Sequence, residues 1–193
     1  MNKLLISLLV VASLSTTTFA QKYSAGVRDH IKTYIEADTI HASKTLYDNI
    51  KDLERFSIAT KIMELTQVQN DINALEMATV FVPSDEAFSG LSEKELTALL
   101  TVKNSTMLKD AFLSHIIAGR MDAHSLRRMV TANGNSAIFR SPGKVDPEAV
   151  GQGNDLYITV PGGPKARFQF TNLLHKQGIF HVVDSFLMVS VKK

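Results

Sequence analysis

The residues best suited by type to do chemistry are six histidines, at positions 30, 41, 115, 124, 175 and 181. A neutral imidazole ligates metals and moves protons near neutral pH. Their spacing withholds that chemistry: no H-x-x-x-H pair shares a helical face, and no histidine has the neighbouring carboxylates of a hydrolytic metal motif. A serine nucleophile on a G-x-S-x-G elbow is absent, as is a glycine-rich phosphate loop. Glu93 and Glu95 are close in sequence, but on a solvated helix they read as a charged face and not as an acid and base pair. With no cysteine in 193 residues, thiol nucleophiles, disulfides, thiolate zinc sites and a lipidated cysteine are all removed. The sequence therefore predicts no catalytic, cofactor-binding or metal-ligating residue, and a protein that is not an enzyme.

Charge is nearly balanced, with 21 basic against 19 acidic residues and a net +2. Arg127-Arg128 and Lys192-Lys193 are the adjacent basic pairs, far short of the clusters that bind phosphate backbones or anionic membranes. Nucleic-acid and membrane partners are not expected. Residues 1–20 read as a secretory leader: Lys3 supplies the positive start, Leu4 to Leu14 the apolar stretch, and Thr18-Phe19-Ala20 a small-x-small cleavage site. The apolar part is about half of the roughly 20 residues that a spanning helix needs. The chain is expected to be secreted to a periplasmic or extracellular setting, to start at Gln21 once cleaved, and not to insert in a membrane.

The elements that must position any functional side chain follow from periodicity. Residues 21–43 carry Val27, Ile31, Tyr34 and Ile35 at helical spacing, which predicts a helical N-terminal extension. Leu46, Ile50 and Leu53 mark one further helix. Ile58, Ile62 and Leu65 mark another after a Ser57 cap, and Val68, Ile72 and Leu75 a third. Ser92-Glu93-Lys94-Glu95 has the form of a capping box, and Leu108, Phe112 and Ile116 recur at intervals of four up to Gly119. Asp122 caps a short helix carrying Leu126, Met129 and Val130.

After Asn133-Gly134 the character changes to extended runs at Ala137 to Arg140, Leu156 to Val160 and Ala166 to Phe170. Ser141 to Asp155, rich in glycine and proline with no apolar period, reads as one long loop, and Pro161 to Pro164 as a hairpin turn. No repeat or second domain is visible.

Two segments are denser in information. Thr79 to Phe88 reads TVFVPSDEAF. Its apolar, β-branched start suits a strand buried on both faces, Pro83 stops that strand, Ser84 is a helix cap, Asp85 and Glu86 sit at the positive helix end, and Phe88 returns to the core. Gly178 to Met188 reads GIFHVVDSFLM, a second interior strand interrupted only by His181 and Asp184. Buried polar side chains of this kind need partners, which points to structural roles. In order and separation these segments closely resemble the two signature boxes of the fasciclin-type domain. Leu46 to Leu65 resembles the family's opening helices, and Leu108 to Gly119 its central helix and following strand. The resemblance covers about residues 44–190, a span within the usual domain size of roughly 100 to 150 residues.

The resemblance implies an α+β fasciclin-like fold, a wedge of two short antiparallel β-sheets with helices packed along one side. It also implies a secreted, non-enzymatic adhesion-type module that binds a protein or glycan of the cell envelope or matrix. The family's Tyr-His pair stands here as Ser114-His115, so adhesion through that tyrosine is not available, and Gln177-Gly178 replaces the usual Asn-Gly. Thr79, Pro83, Ser84, Asp85, Phe88, His115, Gly178, His181 and Asp184 are the structural residues of the match, with His115 tying the central helix to a strand. Lys144, Asp146, Glu148 and Asn154 of the long loop are the candidate binding residues, because loops on a rigid scaffold commonly carry recognition. The alternative function is a periplasmic carrier whose Met and Phe residues line an apolar cavity.

Overall fold

The computed structural model describes residues 30–188. The leader over residues 1–20 and residues 21–29 of the extension lie outside the described residues. The extension does not form the expected helix over its described part. Lys32–Ile35 (β1) and Asp38–His41 (β2) pair instead as an antiparallel hairpin, turning at Glu36, whose φ of 53° is left-handed. Short apolar runs leave helix and strand ambiguous, and here tertiary contact decides. Alternation buries Ile35 and Ile40 and leaves Tyr34 outside, while Leu174 of a later strand donates its amide to Thr33 Oγ1 at 3.3 Å.

The helices follow at Leu46–Ile50 (α1), Ser57–Thr66 (α2) and Val68–Ala74 (α3). Thr45 caps α1 by accepting the Asp48 amide, but Ser57 is not the cap of α2; it lies inside the first turn. Ala78–Pro83 (β3) comes next, then Glu93–Leu99 (α4), which opens on the predicted capping box between Ser92 and Glu95. Ser105–Leu113 (α5) stops earlier than the spacing of Leu108, Phe112 and Ile116 predicts, because Ile116–Ala118 (β4) leaves the helix to pair antiparallel with β3. β-branched Ile116 and Ile117 are both buried in that strand, a better use of their shape than a half-solvated helical turn. Ala123–Ala132 (α6) is capped by Asp122, which accepts the Ser125 amide.

The remaining strands are Ser136–Ile138 (β5), Glu148–Gln152 (β6), Asp155–Thr159 (β7), Lys165–His175 (β8) and Gly178–Val183 (β9). The long loop expected over 141–155 therefore contains a strand. β6 was hidden because its Ala149-Val150-Gly151 run between Glu148 and Gln152 carries no apolar period, yet its backbone pairs with both β5 and β7. The seven strands run in the order β4-β3-β9-β8-β7-β6-β5. The α+β wedge is present, with its two parts joined through β8, whose register shifts at Phe168/Phe170 and Phe170/Leu173 let one long strand serve both. One pairing departs from the antiparallel expectation: β3 and β9 run parallel, from Ala78↔Gly178 to Pro83↔Val183. Nearly a hundred residues separate them, so no tight turn forces an antiparallel return, and both strands are covered on two faces as parallel pairs require.

That double burial divides the interior in two. Val80, Val82, Phe180 and Val182 face the helices with Phe56, Ile62, Leu108 and Phe112. Phe81 and Val183 face the other way, toward Ile117, Leu126, Ile158 and Ala166. At the entry of the parallel pair Gly178 has a φ of 152°, and a Cβ there would be driven into the backbone carbonyl of Ala78 on the neighbouring strand. Gly178→Ala is expected to cost about 3 kcal/mol, read as a lower urea midpoint, because neither backbone can retreat without breaking the pairing. An unchanged midpoint would show that the seam is not close-packed there.

Candidate functional site

The polar residues of the two signature segments converge on the β3–β9 seam, and each has an internal partner. Thr79 is fully buried; its hydroxyl donates to the Gly119 carbonyl and accepts the Met121 amide, both at 2.8 Å. Pro83 ends β3, and the following Ser84 amide donates to the Val183 carbonyl at 3.0 Å. The Ser84 hydroxyl does not cap its own turn; it donates to Gln169 Oε1 at 3.0 Å, and Gln169 Nε2 donates to Glu86 at 2.6 Å. Asp85 caps a helix formed much earlier in the chain: its carboxylate accepts the Ile58 amide at 2.9 Å and the Ser57 hydroxyl at 2.7 Å, at the N-terminus of α2. Phe88 packs on Phe186 at 5.4 Å between ring centres. Asp184 accepts the Arg167 amide at 2.7 Å and returns its own amide to the Arg167 carbonyl at 3.1 Å, closing the far end of the β8–β9 pairing.

His115 at the α5–β4 junction and His181 on β9 are both fully buried. His115 follows the last turn of α5, not within the helix as expected, and ties that junction to β3: its carbonyl accepts the Phe81 amide at 2.8 Å while its Nδ1 bonds the Phe81 carbonyl at 2.7 Å. Its Nε2 accepts the Leu187 amide at 2.8 Å, which fixes a neutral ring protonated on Nδ1. His181 bonds the Met121 carbonyl through Nε2 at 2.9 Å and accepts the Asn172 amide at 3.4 Å, its ring lying against Phe81 and Phe168. Neither imidazole meets a serine or a carboxylate, so neither is arranged as a general base. Among the described residues no group of three or more His, Cys, Asp or Glu is placed to hold a metal ion, and no helix is long and apolar enough to cross a membrane.

The four candidate binding residues are spread along the segment. Lys144 reaches Asp110 of α5 at 2.6 Å, and Asp146 holds Arg140 at 2.7 Å and the Ser141 amide at 3.0 Å. Glu148 begins β6, whereas Asn154 lies in the β6–β7 turn beyond its other end, where its carbonyl accepts from Arg127. A concavity of about 440 Å³ lies elsewhere, open between the Asp85 turn and β8. Glu36, Arg55, Asp85, Glu86, Arg167 and Gln169 line it, with Phe168 and Phe170 at its floor. The Arg55 guanidinium lies over the Phe170 ring at 5.6 Å and pairs with Glu36 at 2.6 Å and Asp38 at 3.3 Å. No sequence signal marked this cleft, because its residues come from five separate stretches of chain. Smaller grooves of about 270 and 370 Å³ flank Phe186 to Met188 and are mostly apolar.

Burial pushes His115 down to about 3 and His181 down to about 4, from the ordinary 6.5. Above 6.5 both rings are neutral whether the chain is folded or not, and their stabilising bonds are fully available. As pH falls through 6.5 the unfolded chain takes up protons that the folded chain refuses, so stability drops. Each ring contributes up to about 1.4 kcal/mol per pH unit below 6.5, or together about 4 kcal/mol between pH 8 and pH 5. Urea unfolding at those two pH values should show this loss, and His115→Gln or His181→Gln should each remove about half of it. Asp85→Ala should cost about 1 to 2 kcal/mol by uncapping α2, with Asp85→Asn costing less because it keeps an acceptor; equal losses would assign the effect to charge alone.

Comparison with known proteins accords with this geometry. The family described as Fasciclin domain matches residues 54–189. Human periostin is 25% identical over 146 residues, which cover 76% of this chain but 16% of periostin. The solved domain pair of the insect cell adhesion molecule fasciclin I aligns with a TM-score of 0.54 at 22% identity, over 70% of this chain and 45% of that one. The chain thus spans less than half the length of either relative, and the likeness to the solved pair is one of fold. The match over residues 54–189, most of its length, makes this chain a member of the fasciclin domain family.

Proposed function

We propose that this protein is an exported, non-enzymatic interaction module of the adhesion type, and that it holds a protein or glycan partner of the cell envelope or matrix through its surface. One observation carries the reading: the polar residues of both signature segments are engaged with backbone atoms or with structural side chains inside the fold. They are held as cross-ties, and catalysis by any one of them would need that residue free beside a substrate. The insect domain pair that shares this fold belongs to a cell adhesion molecule, which supports the same reading. The leader-like residues 1–20 support export.

The cleft beside β8 is the favoured contact surface, ahead of the 141–155 segment. Its carboxylates and guanidinium groups of both signs, with the amide of Gln169, suit a polar partner. The carrier reading has less support: the described concavities are open to the surface, and the interior between the sheet and helices is filled by Phe, Ile, Leu and Val side chains.

The test is binding of the chain without its leader to a glycan panel and to purified envelope proteins, followed by surface plasmon resonance on whatever is retained. Glu36→Asn with Arg167→Ser, two exposed rim changes, should weaken the interaction about tenfold, roughly 1.4 kcal/mol, at unchanged melting temperature. Replacing residues 141–147 by a Gly-Ser linker should leave it intact. The reverse pattern would move the contact to the loop, and retention of an apolar small molecule with no macromolecular ligand would overturn the adhesion reading.

A further inference from the structure

We propose that Ser185 to Met188 forms an acid-released strap, latched by His115 and able to leave the domain surface while the seven-stranded sheet stays folded. The segment follows β9 without regular pairing, and two interactions attach it to the His115 ring. The Leu187 amide donates to His115 Nε2 at 2.8 Å, and the Phe186 ring stacks on the imidazole at 5.0 Å. Phe186 and Leu187 are almost fully buried, yet they enter different halves of the interior. Phe186 joins the helical side with Phe88, and Leu187 joins the side behind the sheet. The strap therefore lies across the boundary of both clusters and carries no ladder hydrogen bonds of its own.

The latch is polarised in a way that protonation must break. In the closed form Nδ1–H donates to the Phe81 carbonyl, so Nε2 holds the only lone pair, and the Leu187 amide uses it. A proton added at Nε2 would face the Leu187 N–H, donor against donor, in a fully buried site. Among the described residues no counter-charge relieves this. The groups packed on the ring are Phe112 from α5, the Phe81 carbonyl from β3, and Phe186 with the Leu187 amide from the strap itself. The ionised groups on those elements are engaged elsewhere: Lys109 with Asp71, Asp110 with Lys144, Asp85 with Ser57 and Ile58, Glu86 with Gln169, and Asp184 with Arg167. His181 on β9 faces the other half of the interior, against Phe81 and Phe168. Burial and the Phe81 carbonyl are the forces that act on the His115 proton.

Two apolar grooves flank the strap, one beside Phe88, Leu91 and Leu99 and one beside Met107, Val145 and Val160, and Met188 borders both. Lifting the strap joins them and uncovers the slots of Phe186 and Leu187. The opening is thus a change of surface chemistry, from a closed domain to one with a continuous apolar channel.

Native-state hydrogen exchange by NMR on the whole chain tests this. The protection factor of the Leu187 amide, corrected for the intrinsic pH dependence of exchange, should fall up to about 30-fold between pH 7.5 and 5, the factor set by an imidazole that titrates near 6.5 only when released. The fall should be independent of low guanidinium concentrations, unlike exchange in β3 and β9, which requires global unfolding. It should vanish in His115→Gln, whose amide can satisfy both backbone partners without titrating, and persist in His181→Gln. If His115→Gln does not fold, relaxation dispersion at the His115 ring nitrogens of the unmodified chain decides the matter: the major state must stay neutral with its proton on Nδ1, and a minor state that grows between pH 7.5 and 5 must carry imidazolium shifts. Protection at Leu187 that stays constant within about threefold would overturn the proposal. So would a loss shared with β3 and β9 at their guanidinium dependence.

Discussion

The parallel pairing of β3 with β9 is the constraint on which the rest of the structure depends. Two strands covered on both faces cannot leave a polar group to water, so each amide, carbonyl and polar side chain at the seam must be satisfied from within. Thr79 and His181 both anchor the Gly119 to Met121 backbone, His115 doubles its bonds to Phe81, and Asp184 closes the strand ends on Arg167. Gly178 lets the two backbones approach where they meet. The two histidines at this seam, His115 and His181, are therefore buried among internal partners and turned away from any substrate.

The same constraint explains the electrostatics. A histidine placed between a carbonyl and an amide inside apolar walls is a neutral connector with one donor and one acceptor, and burial penalises its charged form. Histidine suits this place because it bridges two backbone groups from opposite ends of a rigid ring. Its cost is a stability that declines toward acid. Asp85 serves in another way: half-exposed at a turn, its carboxylate meets the free amide and hydroxyl at the start of a helix whose own cap residue supplies no acceptor. The chain thus ties its early helices to the first signature segment through one carboxylate.

What is left for recognition is surface. The cleft beside β8 gathers side chains from the β1–β2 turn, the turn before α2, the Asp85 turn and β8, and the wedge geometry brings them together. Fasciclin domain membership points toward interaction, since domains of this family are generally adhesion-related modules.

Much of the architecture was legible because local physics and global fold agree. Buried strands that are apolar on both faces, the Ser92 capping box, the Asp122 cap and the hairpin turn after β7 each declare themselves within a few residues. Where a local pattern admitted two answers, long-range contact chose. The hairpin at residues 32–41 is a strand pair because β8 covers it, α5 stops early because β3 offers Ile116 an edge, and β6 forms without an apolar period because strands on both sides supply its hydrogen bonds. Periodicity settles which faces are apolar, since that depends on nearby residue types alone. The partners of His115, the target of Asp85, the parallel sense of the seam and the cleft beside β8 were decided only by tertiary structure, because hydrogen bonds and ion pairs between segments dozens of residues apart depend on distances that no local spacing encodes.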